Sequence, residues 1–272
     1  MAATLLDRAL RTLEVMSTEM DGLSVTEIAD EVGLPKSGAH KLLGDLVRLG
    51  YVRQDELTGR YCLTTRLVSL GLAHLSASGV TDISQPVLDR LARESGELVR
   101  LTVADGDTLT WVAKAQGARS GLRYDPEMGG HPALSCTATG QAWLATMSDD
   151  DAVALVVKQG FGRLDEHGPN APRTIAEFLA ALERTRASGY AHVDQSADAG
   201  TSAIAAAVTD PRSAKAVGTV SIAGPAFRLT PERARALAPA LLAAARELSA
   251  ASSASGFFRE STRRKAAAGD QM

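Results

Sequence analysis

Only two cysteines, Cys62 and Cys136, occur in the chain, and they stand far apart. That is too few for a disulfide framework or a structural zinc site, so reduced thiols in a cytoplasmic protein are expected. The five histidines are scattered without ligand spacing, and no metal or cofactor is expected. Nowhere do about 18 apolar residues run together, as a membrane-spanning helix requires. The first residues, "MAATLLDRALRTLEVM", carry acids and bases through their apolar positions, so neither a signal peptide nor a membrane span is expected there. A large charge excess is lacking too. The formal net charge is −3 and the pI about 6.0, which does not suggest a nucleic-acid partner, although whole-chain charge hides local patches.

What is present points to about two packed domains: 272 residues, 45% of them hydrophobic, with no evident internal repeat. Leu6, Leu10, Leu13 and Met16 fall at helical spacing and predict a first helix over about 5–20. Ser24 with Glu27 fits a capping box opening a second helix, whose stripe is Val25, Ile28, Ala29 and Val32. Gly33 ends it. Pro35 suits the first turn of a third helix, in which Ala39, Leu42, Leu43, Leu46 and Val47 face inward, and Gly50 stops it. "YVRQ", "DELTG" and "RYCL" then read as strand, turn and strand.

A helix over 65–78, with Leu67, Leu70 and His74 along it, carries the expected domain boundary. Beyond it "PVLDRLARESG" predicts a short helix, and the run around Asp105-Gly106 predicts a tight hairpin. "ATGQAWLATMS" and "DDAVALVVKQ" are short helices, and Thr174 with Glu177 caps a longer one ending near Gly189. "GYAHVD", "SAIAAAVTD" and "AVGTVSIAG" are strand-like. Thr230 and Pro231 open a last helix that Pro239 should kink or interrupt. Strands mixed with helices before, between and after them indicate an α+β domain.

Two short helices about a glycine turn match the helix-turn-helix plan, in which the second helix enters the major groove. Opposite the apolar stripe of the third helix lie Ser37, His40, Lys41, Gly44 and Arg48. Small Ser37, Gly38 and Gly44 allow close approach, while Lys36, His40 and Lys41 are donors for phosphates or base edges. From Gly33 to Arg66 there are six basic and three acidic residues, so positive charge is local. The hairpin offers Arg53 and Arg60 as a wing that holds the DNA backbone. On spacing alone, an ordinary solvated amphipathic helix fits equally well.

The same residues resemble the winged helix-turn-helix of the isocitrate lyase regulator (IclR-type) family of bacterial transcription factors. The matching elements, in order, are Arg8-Ala9-Leu10, Leu23 to Ala29 with Thr26, Gly33 to Ser37, Leu42-Leu43, Gly50 to Val52 and Tyr61 to Leu63. Gly38 stands where the family often has threonine and Lys41 where arginine is usual, so an operator sequence does not transfer. The resemblance implies a DNA-reading set of Thr26, Lys36, Ser37, Gly38, His40, Lys41, Arg53 and Arg60. It also implies the organisation: a winged helix-turn-helix over 1–64, a linker helix over 65–80 and a GAF-like antiparallel-sheet effector domain over 81–255; the polar, terminal stretch over 256–272 is expected to be a disordered tail.

In the second domain, Gly129 to Ala145, Gly189 to Asp210 and Val217 to Pro225 resemble the family's pocket-forming segments. Carried over, the pocket candidates are Leu134, Thr137, Ala138, Thr139, Asp194, Ala203, Ser221 and Ala223, with Arg123 and Tyr124 beside them. Thr137 to Thr139 precede a helix, whose free N–H groups favour an anion, and Ser221 interrupts an apolar strand. Ordinary capping or core hydrogen bonding accounts equally well for Thr139 and Ser221. Ala203 replaces a cysteine common in the family, Ala207 a proline and Ala223 a serine. The pocket should therefore be larger and less polar than one for a two-carbon acid. The expected effector is an organic acid with an apolar body, aromatic rings included, its carboxylate meeting Thr137–Thr139 or Arg123.

An enzyme would need a nucleophile and base, and Cys136 near His131, with His167 or His192 recruited through space, is the available set. No oxyanion hole or G-x-S-x-G elbow accompanies it, so no enzyme is expected. Leucine stripes on the first and linker helices suit pairing between chains, and the resemblance implies homodimers or homotetramers. The expectation is a ligand-responsive regulator, a repressor of a catabolic operon, whose partners are a double-stranded DNA operator and a small organic acid.

Overall fold

The computed structural model describes residues 3–126, 128–161 and 167–252. The expected tail over 256–272 lies outside them. The chain divides into two compact units, Met1–Leu75 and Ser76–Met272.

The first unit holds helices α1 (Leu5–Met16), α2 (Val25–Val32) and α3 (Lys36–Arg48), and strands β1 (Val52–Gln54) and β2 (Tyr61–Leu63). Helix α4 (Arg66–Ser78) runs from it into the second. Capping boxes open α1 (Thr4 with Asp7) and α2 (Ser24 with Glu27), each satisfying N–H groups the first turn leaves bare. Gly33 closes α2 at φ +65°, a left-handed conformation that glycine adopts without strain. Ile28, Leu42, Leu43, Leu46, Val52 and Tyr61 share one core with Met16 and Leu23. Complete burial of Ile28 and Leu43 contributes roughly 1.5–3 kcal/mol each.

Details differ from expectation. Helix α1 ends at Met16 and packs through Ala9, Thr12, Leu13 and Met16, leaving Leu6 and Leu10 exposed. Thr12 can be buried because its hydroxyl donates to Arg8 O at 2.8 Å. Pro35 is the N-cap of α3, just outside its first turn. Val47 is 39% exposed, because the stripe Ala39, Leu42, Leu43, Leu46 already fills the core-facing side.

The second unit is built on a five-stranded antiparallel sheet in the order β4-β3-β7-β6-β5. Its strands are β3 (Leu98–Asp105), β4 (Thr108–Gln116), β5 (Ala191–Asp194), β6 (Thr201–Thr209) and β7 (Ala216–Pro225). One face carries Val99, Leu101, Ile204, Ala206, Val220 and Ile222, packed with α5 (Val80–Ser95) and α9 (Pro231–Ser252). Strand side chains alternate, so Arg100, Ser221, Ala203 and Ala223 belong to the other face. That face meets α6 (Ala138–Leu144) and α8 (Ile175–Ser188). Trp143, Leu144 and Phe178 form a further core with α7 (Asp149–Gln159).

The helix expected to start at Pro86 begins at Val80 and carries Pro86 inside it, and α9 runs unbroken through Pro239. Each proline forfeits one helical hydrogen bond. Burial of Leu88 and Leu91 beside the first, and of Leu237 and Leu241 beside the second, offsets the loss. Among the described residues, no helix is long and apolar enough to cross a membrane. The architecture is α+β: an N-terminal helix-turn-helix unit and a C-terminal antiparallel-sheet unit.

Candidate functional site

Two places carry polar chemistry that packing does not require. The first is the outer face of α3. Lys36, Ser37, His40, Lys41 and Gly44 are exposed opposite the buried Ala39, Leu42, Leu43 and Leu46. Arg48 on the same face pairs with Asp45 at 3.0 Å. Lys36, His40 and Lys41 make no ion pair or side-chain hydrogen bond among the described residues, so their donors remain open to a phosphate or base edge. Thr26 is exposed on α2. A Cβ on Gly38 would meet Leu34 and Pro35 at an ordinary 3.8 Å, and one on Gly44 would meet nothing within 4 Å. Neither glycine is demanded by the unit's own packing.

The two wing arginines diverge. Arg53 is 60% exposed and only loosely beside Asp55, at 3.7 Å. Arg60, expected to reach a DNA phosphate, turns inward. Its Nε donates to Gly22 O at 3.0 Å and its Nη2 lies 3.1 Å from a Glu27 carboxylate oxygen. The Ser24 backbone N–H, the Ser24 hydroxyl and Arg60 together hold the Glu27 carboxyl below its usual range. The reason is local: β2 bridges to Leu23 through Tyr61, bringing Arg60 against the turn before α2. Gly22 permits this at φ +72°, where a Cβ would lie 2.6 Å from Tyr61 O.

The second place is a cavity of about 280 Å³ in the second unit, between the sheet and the segments around Tyr124, α6 and Asp198. Tyr124, Thr137, Ala138, Thr139, Ala203, Ser221 and Ala223 line it, as expected from sequence. Three candidates do not line it. Arg123 is about half exposed and lies 3.6 Å from Asp125. Leu134 is core, packed with Trp143 and Leu144, and its backbone leaves no room for a Cβ on Gly140. Asp194 is half-buried on β5, where its carbonyl accepts from Asn170. Thr137 is an N-cap: its hydroxyl accepts from Gly140 N at 3.0 Å and donates to Ala133 O. Ser221 donates to Arg100 O at 3.4 Å. The two hydroxyls are therefore already engaged.

Sequence reasoning missed the strongest group. Arg100 lines the cavity at 6% exposure, with its guanidinium carbon 4.0 Å from the Trp111 ring centre. Its Nε and Nη1 have no hydrogen-bond partner. Burial depresses its pKa, against the opposing influence of Tyr124 and Asp198. Tyr124 donates its phenol to Asp198 at 3.0 Å, and burial together with that carboxylate pushes the phenol up to about 12. A lone charged residue within the apolar run "LVRLTV" was the available signal.

Of the residues of the enzyme alternative, Cys136 and His167 both line the cavity. The Cys136 thiol is pushed up to about 11, first by burial and then by Asp198, which disfavours the thiolate. The His131 ring is bonded to Leu109 O at 2.9 Å. No group of three or more potential metal ligands occurs among the described residues.

Residues 5–56 match the IclR helix-turn-helix domain, and residues 72–250 match the C-terminal domain of bacterial transcriptional regulators of the IclR type. The chain is 28% identical over 247 residues to the transcriptional repressor IclR of Escherichia coli (strain K12), covering 90% of this chain and 89% of that protein. An IclR transcriptional regulator from Alicyclobacillus acidocaldarius has a similar structure, with a TM-score of 0.78 at 23% identity over 92% of this chain and 99% of that one. An IclR homologue from Microbacterium hydrocarbonoxydans, crystallised with 4-hydroxybenzoate, gives a TM-score of 0.73 at 18% identity over 91% and 100%.

Proposed function

The chain belongs to the IclR family of bacterial transcriptional regulators, and we propose that it is a repressor whose grip on an operator is set by a small organic acid in the C-terminal cavity. The observation that carries this reading is the exposed row Lys36, Ser37, His40 and Lys41 on a helix held against a wing, in a chain that also encloses a cavity lined by a buried arginine. The row reads the groove, with Thr26, Gly38 and Arg53 beside it, and the cavity takes the acid. A cavity of about 280 Å³ exceeds the roughly 150 Å³ that admits benzene, so a ring-sized body fits. The 4-hydroxybenzoate held by the Microbacterium homologue is of this class.

The acid acts by population shift. It binds one arrangement of paired reading heads better than another, and operator affinity changes by the ratio of those affinities. A hundredfold change needs a difference of about 2.7 kcal/mol. Pairing is supported by the exposed Leu5, Leu6 and Leu10 of α1 and Val68, Leu70 and Leu72 of α4, which a second copy would cover. A dimer would read half-sites about 34–36 Å apart. In this reading the domains are a winged helix-turn-helix over 1–64, a linker helix over 65–80 and an effector domain over 81–255.

Fluorescence anisotropy tests this reading, using the DNA upstream of the chain's own gene and of the adjacent operon. Binding at low salt that weakens steeply with added salt, and shifts on adding an aromatic carboxylate, is the expected result. Failure to prefer that DNA over an unrelated duplex at any salt concentration overturns it.

A further inference from the structure

Arg100 is the third of the eight residues of β3, opposite Ser221 of β7, whose other neighbour is Ala205 of β6. Its strand neighbours Val99 and Leu101 are in the core of the other face. A guanidinium in that position has lost most of its water, and a buried charge without a partner costs several kcal/mol. Even the less buried Arg228, 29% exposed, makes two bonds to the Glu97 carboxylate and a third to Leu122 O. Arg100 has no carboxylate paired with it among the described residues: the Tyr124 hydroxyl is its hydrogen-bonding neighbour, and Asp198 and Asp125 attract it only from farther away. The cavity's own carboxylate, Asp198, accepts from Tyr124 instead, and Nε and Nη1 of Arg100 remain unbonded. What Arg100 does have is Trp111 against the face of its guanidinium, 4.0 Å from carbon to ring centre. Stacking of that kind occupies the flat face and leaves the in-plane N–H edge for a planar acceptor.

We infer that Arg100 is the anion-binding residue of the C-terminal cavity, taking the carboxylate of the effector on its N–H edge while Trp111 holds its face. The inference rests on the reading of that cavity as an effector site and names the residue that recognises the acid. It replaces the two groups expected from sequence. Arg123 lies outside the cavity, and the Thr137 hydroxyl is committed to its own backbone. A guanidinium stays protonated at any physiological pH, so the site is a permanent cation. A carboxylate matches its fork with two parallel hydrogen bonds, which a neutral amide of the same shape cannot do. Burial outweighs the attraction of Tyr124, Asp198 and Asp125, so Arg100 with its Nε and Nη1 unbonded is a net cost in the ligand-free protein, which separates a recognition role from a structural one.

The test uses the full chain and four carboxylates: acetate, pyruvate, benzoate and 4-hydroxybenzoate, with benzamide as the neutral counterpart of benzoate. Thermal unfolding and calorimetric titration are measured for wild type, Arg100→Met and Arg100→Gln. The expected wild type is stabilised by at least one carboxylate and not by benzamide. Either substitution should weaken that carboxylate by about 10- to 100-fold, the loss of a charge-assisted pair. Without ligand, Arg100→Met should melt at or above the wild-type temperature. The inference is overturned if both variants bind the carboxylate as wild type does, if benzamide binds as well as benzoate, or if none of the four acids stabilises wild type. Should Arg100→Met fail to fold, the Gln variant's affinity decides. Operator binding by ligand-free variants is read alongside: failure of wild type on DNA would sink the regulator reading while leaving the carboxylate result to stand.

Discussion

The two wing arginines, seven residues apart in one hairpin, should fail in opposite ways when replaced by alanine. Arg60→Ala removes the hydrogen bond from Nε to Gly22 O and the ion pair with Glu27. The bond is a charged donor on a backbone carbonyl, worth about 1.5 kcal/mol at the lower end of its range because the side chain is partly in water. The ion pair with Glu27 is in solvent and is given no weight. A loss of about 1.5 kcal/mol is a large share of a small unit's stability, typically about 5–15 kcal/mol for a whole domain. Arg53→Ala removes only a 3.7 Å pairing in water and should leave folding unchanged. On DNA the order reverses. Each phosphate that a protein cation neutralises adds about 0.9 to the slope of log affinity against log salt. Arg53→Ala should therefore lower the slope by about one, while Arg60→Ala should leave it unchanged in the folded fraction. Hydrogen exchange over residues 22–28 reads the stability arm, and anisotropy titrations between about 50 and 200 mM salt read the other. Normal exchange with a slope lowered by one in Arg60→Ala would show that Arg60 leaves Gly22 for a phosphate, and the inward role assigned to it would be refuted.

Gly44→Ala should stabilise the first unit by about 1 kcal/mol, since alanine is the better helix former and its Cβ meets nothing. It should nevertheless weaken operator binding, because the added methyl projects from the face that approaches the groove. Equal or better binding, measured by anisotropy, would remove Gly44 from the DNA-facing side. Cys136 gives a pH prediction. Its thiol is held at about 11 in the fold against 9.0 in the unfolded chain, so the unfolded state ionises first. Stability due to Cys136 is present below about pH 9 and is lost as pH rises towards 11. The difference in urea midpoint between wild type and Cys136→Ala should thus move against wild type between pH 8.5 and 10.5, and parallel midpoints would contradict burial as the cause.

Where sequence spoke clearly, it did so through groups with one physical role. Ser24 and Glu27 satisfy each other's backbone N–H groups, Gly33 takes a left-handed cap, and Gly106 turns the β3–β4 hairpin at φ +59°. These are local constraints, visible within a few residues. The errors came where tertiary burial overrode a local rule. Pro86 looked like a helix start and Pro239 like a kink or interruption, because each removes a hydrogen bond, yet their neighbours Leu88 and Leu241 are fully buried. The first helix offered two overlapping stripes. Thr12 entered the packed one only because its hydroxyl bonds to Arg8 O, which a count of apolar residues overlooks.

The cavity was half legible for a related reason. Segments carried over by family resemblance include Thr137, Ala203, Ser221 and Ala223, which line the cavity because those positions lie on one face of the sheet or on the loop above it. Arg123 was nominated because it adjoins Tyr124 in the chain, but neighbours in an irregular segment need not share a direction, and only Tyr124 lines the cavity. Strand β3 gave no alternation to decode, as seven of its eight residues are buried. Helices cover both faces of the sheet, so the strand reads as a continuous apolar run, and its period of two disappears. The remaining signal was chemical rather than periodic. A strand that buries both faces has no reason in packing to carry an arginine, and the cost of burying that charge is the signal from which a ligand-binding role for Arg100 is inferred.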